Sequence, residues 1–133
     1  MLTRDQQYAA DIYRRVVAFR DAAAHDQQLD VNQYGGLAHS LPALVRSAGL
    51  AQALAFVESR KKKSLDRLLD DLAGTLELQN RTALLESSRS VSLPEYIRLT
   101  ERVIDALNWY KRFAQTILNV QPGVSLSDSG AQP

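Results

Sequence analysis

The sequence predicts an all-α fold: a compact bundle of five to six helices over residues 1–118, followed by a disordered tail over 119–133. Apolar residues recur at steps of three and four along most of the chain, the spacing of one helical face. Clusters of β-branched residues are few, and only six Gly and four Pro punctuate 133 residues. The closing stretch, NVQPGVSLSDSGAQP, has no period and is rich in Gly, Pro and Ser, which predicts a segment that cannot dock. Hydrophobic residues at 45% and charged residues at 23% are enough for one real core in a chain of this length.

Each helix carries its own signals. Thr3 followed by Gln6 forms a capping box, after which Ala9, Ile12, Val16, Phe19 and Ala23 make one stripe to about residue 26. Asp30 caps a second helix, in which Tyr34, Leu37, Leu41, Leu44 and Ala48 repeat the spacing. Pro42 lacks the amide that would bond the Ala38 carbonyl, so a kink or a break into two short helices is expected there. Gly49 suits a left-handed cap before Leu50, Leu54 and Val57 open the next face. Arg60-Lys61-Lys62-Lys63 places cations at that helix's C-terminus, and Ser64 is the cap expected for a helix burying Leu65, Leu68, Leu69, Leu72 and Leu76. A short helix follows over 82–87. The last one opens on Ser92-Leu93-Pro94-Glu95, read as a capping box, and buries Leu99, Val103, Ala106, Tyr110, Phe113 and Ile117.

Sixteen Lys and Arg against fifteen Asp and Glu leave a formal charge of +1, so attraction to a polyanion has to come from local patches. Without cysteine there is no disulfide framework, thiolate zinc site or thiol nucleophile, which is compatible with a reducing cytosol. The N-terminal MLTRDQQYAADIYRR lacks the apolar run of a signal peptide, and no stretch reaches the length of a membrane span, so a cytoplasmic protein is expected.

A search for catalytic groups is nearly empty. Gly35-Gly36 lies inside a helical pattern and reads as close packing, not as a phosphate loop. His25 and His39 fit no spaced ligand motif, and Asp66, Asp70 and Asp71 read as a solvated face with Arg67 pairing Asp70 or Asp71. No metal and no cofactor is expected. The exception is Arg20-Asp21-Ala22-Ala23-Ala24-His25, which fits the R-polar-x-x-x-H pattern of HEPN ribonucleases. There His moves a proton near neutral pH and Arg steadies charge on the phosphorane. The pattern is short, and a His near a helix end also serves as a plain C-terminal cap.

Two stretches together resemble the small-subunit family of type III-B (Cmr) CRISPR effector complexes. Tyr34 to Arg60, YGGLAHSLPALVRSAGLAQALAFVESR, is similar to the family's segment L-P-x-L-[IV]-[RQ]-x-x-G-L-x-x-A-L-A-F with its preceding Tyr and small residues. Tyr96 to Ala114, YIRLTERVIDALNWYKRFA, is similar to its closing helix with T-x-x-x-x-x-x-L-x-W-x-K-R-x-A. The resemblance implies a non-catalytic helical subunit present in several copies, stacked beside the backbone subunits along the guide and target RNA, with cleavage left to other subunits. A HEPN-like, metal-independent ribonuclease using Arg20 and His25 is the alternative, and a helical protein–protein adaptor is a third reading.

For RNA contact the densest candidates are Arg60, Lys61, Lys62 and Lys63, though a charge run is also how a helix end stays solvated. Arg46, Lys111 and Arg112 lie in the family-like segments, and Arg14 with Arg15 forms a further pair; ion pairing or snorkelling is the competing role. Trp109 projects with Arg98, Arg102 and Arg112 and not with the Leu99 to Ile117 stripe. Those residues are candidates for a subunit interface, with base stacking or packing on a second bundle helix open to the Trp.

Overall fold

The computed structural model describes residues 1–123, and all its regular structure is helical. Six helices follow in order: α1 (Arg4–Ala23), α2 (Val31–Ala48), α3 (Leu50–Ser59), α4 (Lys63–Thr75), α5 (Arg81–Ser90) and α6 (Leu93–Thr116). The α2–α6 contact is the most extensive, α1 also packs on α6, and α4 packs against α2 and α5.

Local chemistry sets most boundaries. Thr3 Oγ1 accepts from the Gln6 amide at 3.1 Å while the Gln6 side chain accepts from the Thr3 amide at 2.9 Å, the reciprocal cap expected at α1. Asp30 accepts from the amides of Asn32 and Gln33 at α2. Asn80 accepts from the Ala83 amide, so α5 starts at Arg81 and runs to Ser90, longer than the 82–87 expected. Two expected caps are not formed. Lys62 occupies the N-cap of α4, and Ser64 is buried with its Oγ accepting from the Asp30 amide at 2.8 Å. Ser92 makes no side-chain cap at α6, and the Glu95 carboxylate, the other half of the expected box, pairs with Arg98 three residues on.

The break expected at Pro42 does not occur. Helix α2 runs through it, with Leu37, Ala38 and Leu41 buried on one side and Val45 on the other. Burying those side chains outweighs the roughly 3 kcal/mol cost of an internal proline. At the α2–α3 corner Gly49 has φ +90°, as glycine permits, but ψ of 156° makes it an extended link and not a left-handed cap. Tyr96 of α6 supplies what Gly49 cannot, its hydroxyl accepting from the Ala51 amide at 3.1 Å.

The core joins Ile12, Val16 and Phe19 of α1, Tyr34 and Leu37 of α2, the leucines of α4, and Val103, Leu107 and Tyr110 of α6. Phe19 and Tyr34 stack with centroids 4.0 Å apart. The packed domain extends beyond residue 118. Val120 is 2% exposed and seats against Gly35, whose added Cβ would stand 2.7 Å from that of Val120. At Gly35, the close approach expected of the glycine pair is therefore made by the C-terminal segment and not by a neighbouring helix. The rest of the expected tail, 124–133, lies outside the described residues. No helix among the described residues is long and apolar enough to cross a membrane.

Candidate nucleic-acid interface

Folding divides the candidate cations into two groups. Those of the first are already engaged. Arg14 lies 3.4 Å from Asp11, and Arg15 donates to the same carboxylate at 2.8 Å with a second nitrogen 3.9 Å from Asp71. Lys63 donates to Asp26 at 3.0 Å and to Gln28 at 3.1 Å, tying the start of α4 to the α1–α2 connection. The Gln28 amide first, and the Lys63 ammonium next, hold the Asp26 carboxyl below its ordinary value. Arg60 stands over the Phe56 ring, 6.0 Å from its centroid. Of the interface candidates, Arg98 pairs with Glu95, and Arg102 donates to the Tyr8 hydroxyl at 3.5 Å and the Leu76 carbonyl at 3.3 Å.

The second group is Arg46, Lys61, Lys62, Lys111 and Arg112, which among the described residues form no ion pair. Lys61 sits at the α3–α4 corner with φ of 54°, a left-handed turn that splits the four-cation run so that its members face different surroundings. Lys111 and Arg112 are exposed on the last turns of α6.

Trp109 is half-buried. Its indole nitrogen donates to Asp5 at 2.9 Å, and its ring lies 5.5 Å from that of Phe113. The stripe on which it projects, with Arg98, Arg102 and Arg112, runs partly along the first turns of α1, where Arg4 pairs with Asp105 at 2.6 Å. Packing on a second bundle helix therefore accounts for one edge of this Trp and leaves part of it open. The ribonuclease candidates do not build a site of the kind their pattern suggests. Arg20 turns to Asp21 at 3.3 Å, and His25 is exposed beyond the end of α1, its amide bonding the Ala22 carbonyl. No group of three or more His, Asp and Glu suited to a metal occurs among the described residues.

A buried polar network escaped the sequence reading. Tyr34 donates to Asp71 at 2.6 Å, Arg67 lies 3.5 Å from the same carboxylate, and the Thr75 hydroxyl joins Asp11 and the Tyr110 hydroxyl, each at 2.8 Å. Burial pushes the Asp71 carboxyl up against the pull of Tyr34, Arg67 and Arg15, and pushes both phenols well above their ordinary range. The expectation of a solvated face over 66–71 thus fails at Asp71. Asp70 instead accepts from the amide and guanidinium of Arg81 at 2.8 and 2.9 Å. A signal was available: Leu68, Asp71, Leu72 and Thr75 fall at i, i+3, i+4 and i+7, which puts a carboxylate on the core face of α4.

The fold defines a small helical bundle with a buried polar network at its centre and, among the described residues, five candidate cations outside any ion pair. The chain belongs to the Cmr5 family of CRISPR-associated proteins, whose description, CRISPR-associated protein (Cas_Cmr5), matches residues 4–117. It is 42% identical over 118 residues to the CRISPR system Cmr subunit Cmr5 of Thermus thermophilus, spanning 89% of this chain and 98% of that one. The crystal structure of a CRISPR-associated Cmr5 family protein from Thermus thermophilus superposes with a TM-score of 0.77 at 40% identity, covering 90% of this chain and all of the other. The fold and family expected from the two sequence stretches therefore hold.

Proposed function

We propose that the chain is a non-catalytic subunit of a cytoplasmic type III-B (Cmr) CRISPR complex, standing in several copies along the guide and target RNA and holding the RNA through its phosphates. The observation that carries this reading is the coincidence of Cmr5 family membership across nearly the whole bundle with two cation pairs, Lys61-Lys62 and Lys111-Arg112, that form no ion pair among the described residues. Arg46 adds a third point. A non-catalytic role is supported by the turning of Arg20 to its neighbour Asp21.

A nearly neutral protein can bind RNA usefully in this way only as part of an array. With about three phosphate contacts per copy, affinity for a single strand falls roughly fifteenfold between 50 and 200 mM salt, so an isolated copy binds weakly. Copies tethered along one strand raise each other's effective concentration. Base sequence is then left to guide pairing, because phosphate contacts position without specifying.

The test is charge reversal in the assembled complex. Lys61→Glu with Lys62→Glu, and separately Lys111→Glu with Arg112→Glu, should leave the other subunits co-purifying while weakening target RNA binding to a similar degree for unrelated sequences. The loss should shrink as salt rises. Normal assembly with unchanged affinity and salt slope in both variants would refute the phosphate contacts.

A further inference from the structure

The first turn of α1 and the C-terminal half of α6 enclose a cleft of about 500 Å³, lined by Asp5, Asp105, Asn108, Trp109 and Arg112. That size falls within the range of small-molecule sites. Trp109 forms its aromatic wall and cannot swing freely. The indole N–H is held by Asp5, Phe113 backs the ring, and Tyr13 meets Phe113 edge-on with centroids 5.6 Å apart. The Asp105 charge is offset by Arg4. The Arg112 guanidinium forms no ion pair and no hydrogen bond among the described residues, where only its carbonyl is met by a side chain, the Thr116 hydroxyl.

We propose that this cleft takes the base of a single-stranded nucleotide, stacked on Trp109 with its phosphate on Arg112. The proposal rests on the RNA-contacting reading above and adds a base to it. A greasy protein anchor would find carboxylates and an amide at the rim. A nucleobase brings a flat π face, a polar edge and a charged phosphate, which match the indole, the Asp5–Asp105–Asn108 rim and the guanidinium in turn. Carboxylate oxygens accept hydrogen bonds, so a base with an exocyclic amine fits better than uracil, which has none.

The full chain carries its own reporter, because Trp109 is the only tryptophan. A cytidine dodecamer, a uridine dodecamer and inorganic polyphosphate are titrated at low salt against Trp109 emission, with the anisotropy of labelled cytidine dodecamer followed in parallel. The cytidine strand should quench the emission, the uridine strand should bind several-fold more weakly, and polyphosphate should leave the emission unchanged. Trp109→Ala should lower affinity on the order of five- to a hundredfold. Arg112→Gln, an exposed position whose loss leaves the core untouched, should weaken binding several-fold and flatten the logarithmic salt slope by about one. If Trp109→Ala fails to fold by circular dichroism, Arg112→Gln and Asn108→Ala decide the matter.

Cytidine binding with unmoved emission overturns the cleft and leaves the phosphate contacts standing. Quenching by polyphosphate, or equal binding of the uridine strand, overturns it as well. Emission that responds to another protein of the complex and not to RNA makes the cleft a protein anchor, and the proposal falls. Absence of any cytidine binding also rejects the cleft, and the charge reversals in the assembled complex then judge the phosphate reading separately.

Discussion

Gly35→Ala should change the sign of its effect with the length of the chain. A Cβ at this position would stand 2.7 Å from Val120 Cβ and 2.8 Å from its Cγ2, closer than packed carbons tolerate. Val120 is fixed from both sides of its peptide: its amide donates to the Ala114 carbonyl at 2.9 Å, and its carbonyl accepts from His39 Nε2 at 2.7 Å. In the full chain the overpacking costs about 1–3 kcal/mol, partly offset by the ~1 kcal/mol that Ala gains over Gly inside a helix. In a chain ending at Leu118 the obstacle is gone, and the same substitution should stabilise α2 by up to about 1 kcal/mol. The truncation alone forfeits about 1.5–3 kcal/mol of valine burial and about 1 kcal/mol for the stranded His39 N–H. Together these lower the melting temperature by roughly 8–15 °C in a domain of this size. Urea and thermal unfolding of the four chains, followed by circular dichroism, gives the coupling directly, with a chain ending at Gly123 as a further reference. The expected coupling is about 1–3 kcal/mol. Equal effects of Gly35→Ala at both lengths would refute the docking of Val120.

Three further outcomes follow from the buried network and the chain's titratable groups. Tyr34→Phe removes the donor 2.6 Å from Asp71 and should cost about 1.5–3 kcal/mol in urea unfolding; a loss near zero would show that Arg67 and Arg15 satisfy the carboxylate unaided. The Asp71 carboxyl is raised chiefly by burial, so the folded chain holds its proton more tightly than the unfolded one. Its stabilising contribution is therefore full below the unfolded value near 3.8 and lost as pH rises through the folded value. Stability measured against Asp71→Asn should accordingly shift in favour of the native residue as pH falls from neutral towards that window, and a shift the other way would mean the two arginines outweigh burial. Incubated with labelled single-stranded RNA, with or without magnesium, the purified chain should leave it intact; cleavage that disappears in His25→Ala would instead establish the Arg20–His25 ribonuclease.

Helix existence could be read from the sequence because it depends on neighbours three and four residues away. Thr3 and Asp30 show the same local dependence, since a cap is made within one turn. Expectations failed where a distant residue competed for the same group. Ser64 had a cap to make and was taken by the Asp30 amide instead, thirty-four positions earlier in the chain. Pro42 had a local reason to break α2, but the packing of Leu41 and Val45 overrode it. Val120 sits in a stretch with no periodicity, and nothing local announces that Gly35 leaves room for it. Its docking needs only one side chain, and periodicity does not detect a segment with a single anchor.

The candidate interface was harder to read for a related reason. A cation's availability depends on which carboxylates folding brings near it, and Arg15 illustrates the point. Its neighbour four residues back, Asp11, is visible in the sequence, whereas Asp71 arrives only when α4 packs on α1, and together they turn a candidate for RNA into a support for the core. Lys111 and Arg112 have no acidic residue within four positions on either side, and although folding brings Asp5 and Asp105 to the cleft that Arg112 lines, neither cation forms an ion pair among the described residues. Lys61 and Lys62 also form no ion pair among the described residues, although Lys61 lies in a cleft with Glu58 and Asp66, and the left-handed turn at Lys61 separates them from Arg60 and Lys63, which have partners of their own. With net charge near zero, the folded positions of carboxylates decide where a polyanion can be held, and among the described residues the cations left outside any ion pair include those at the α3–α4 corner and the end of α6.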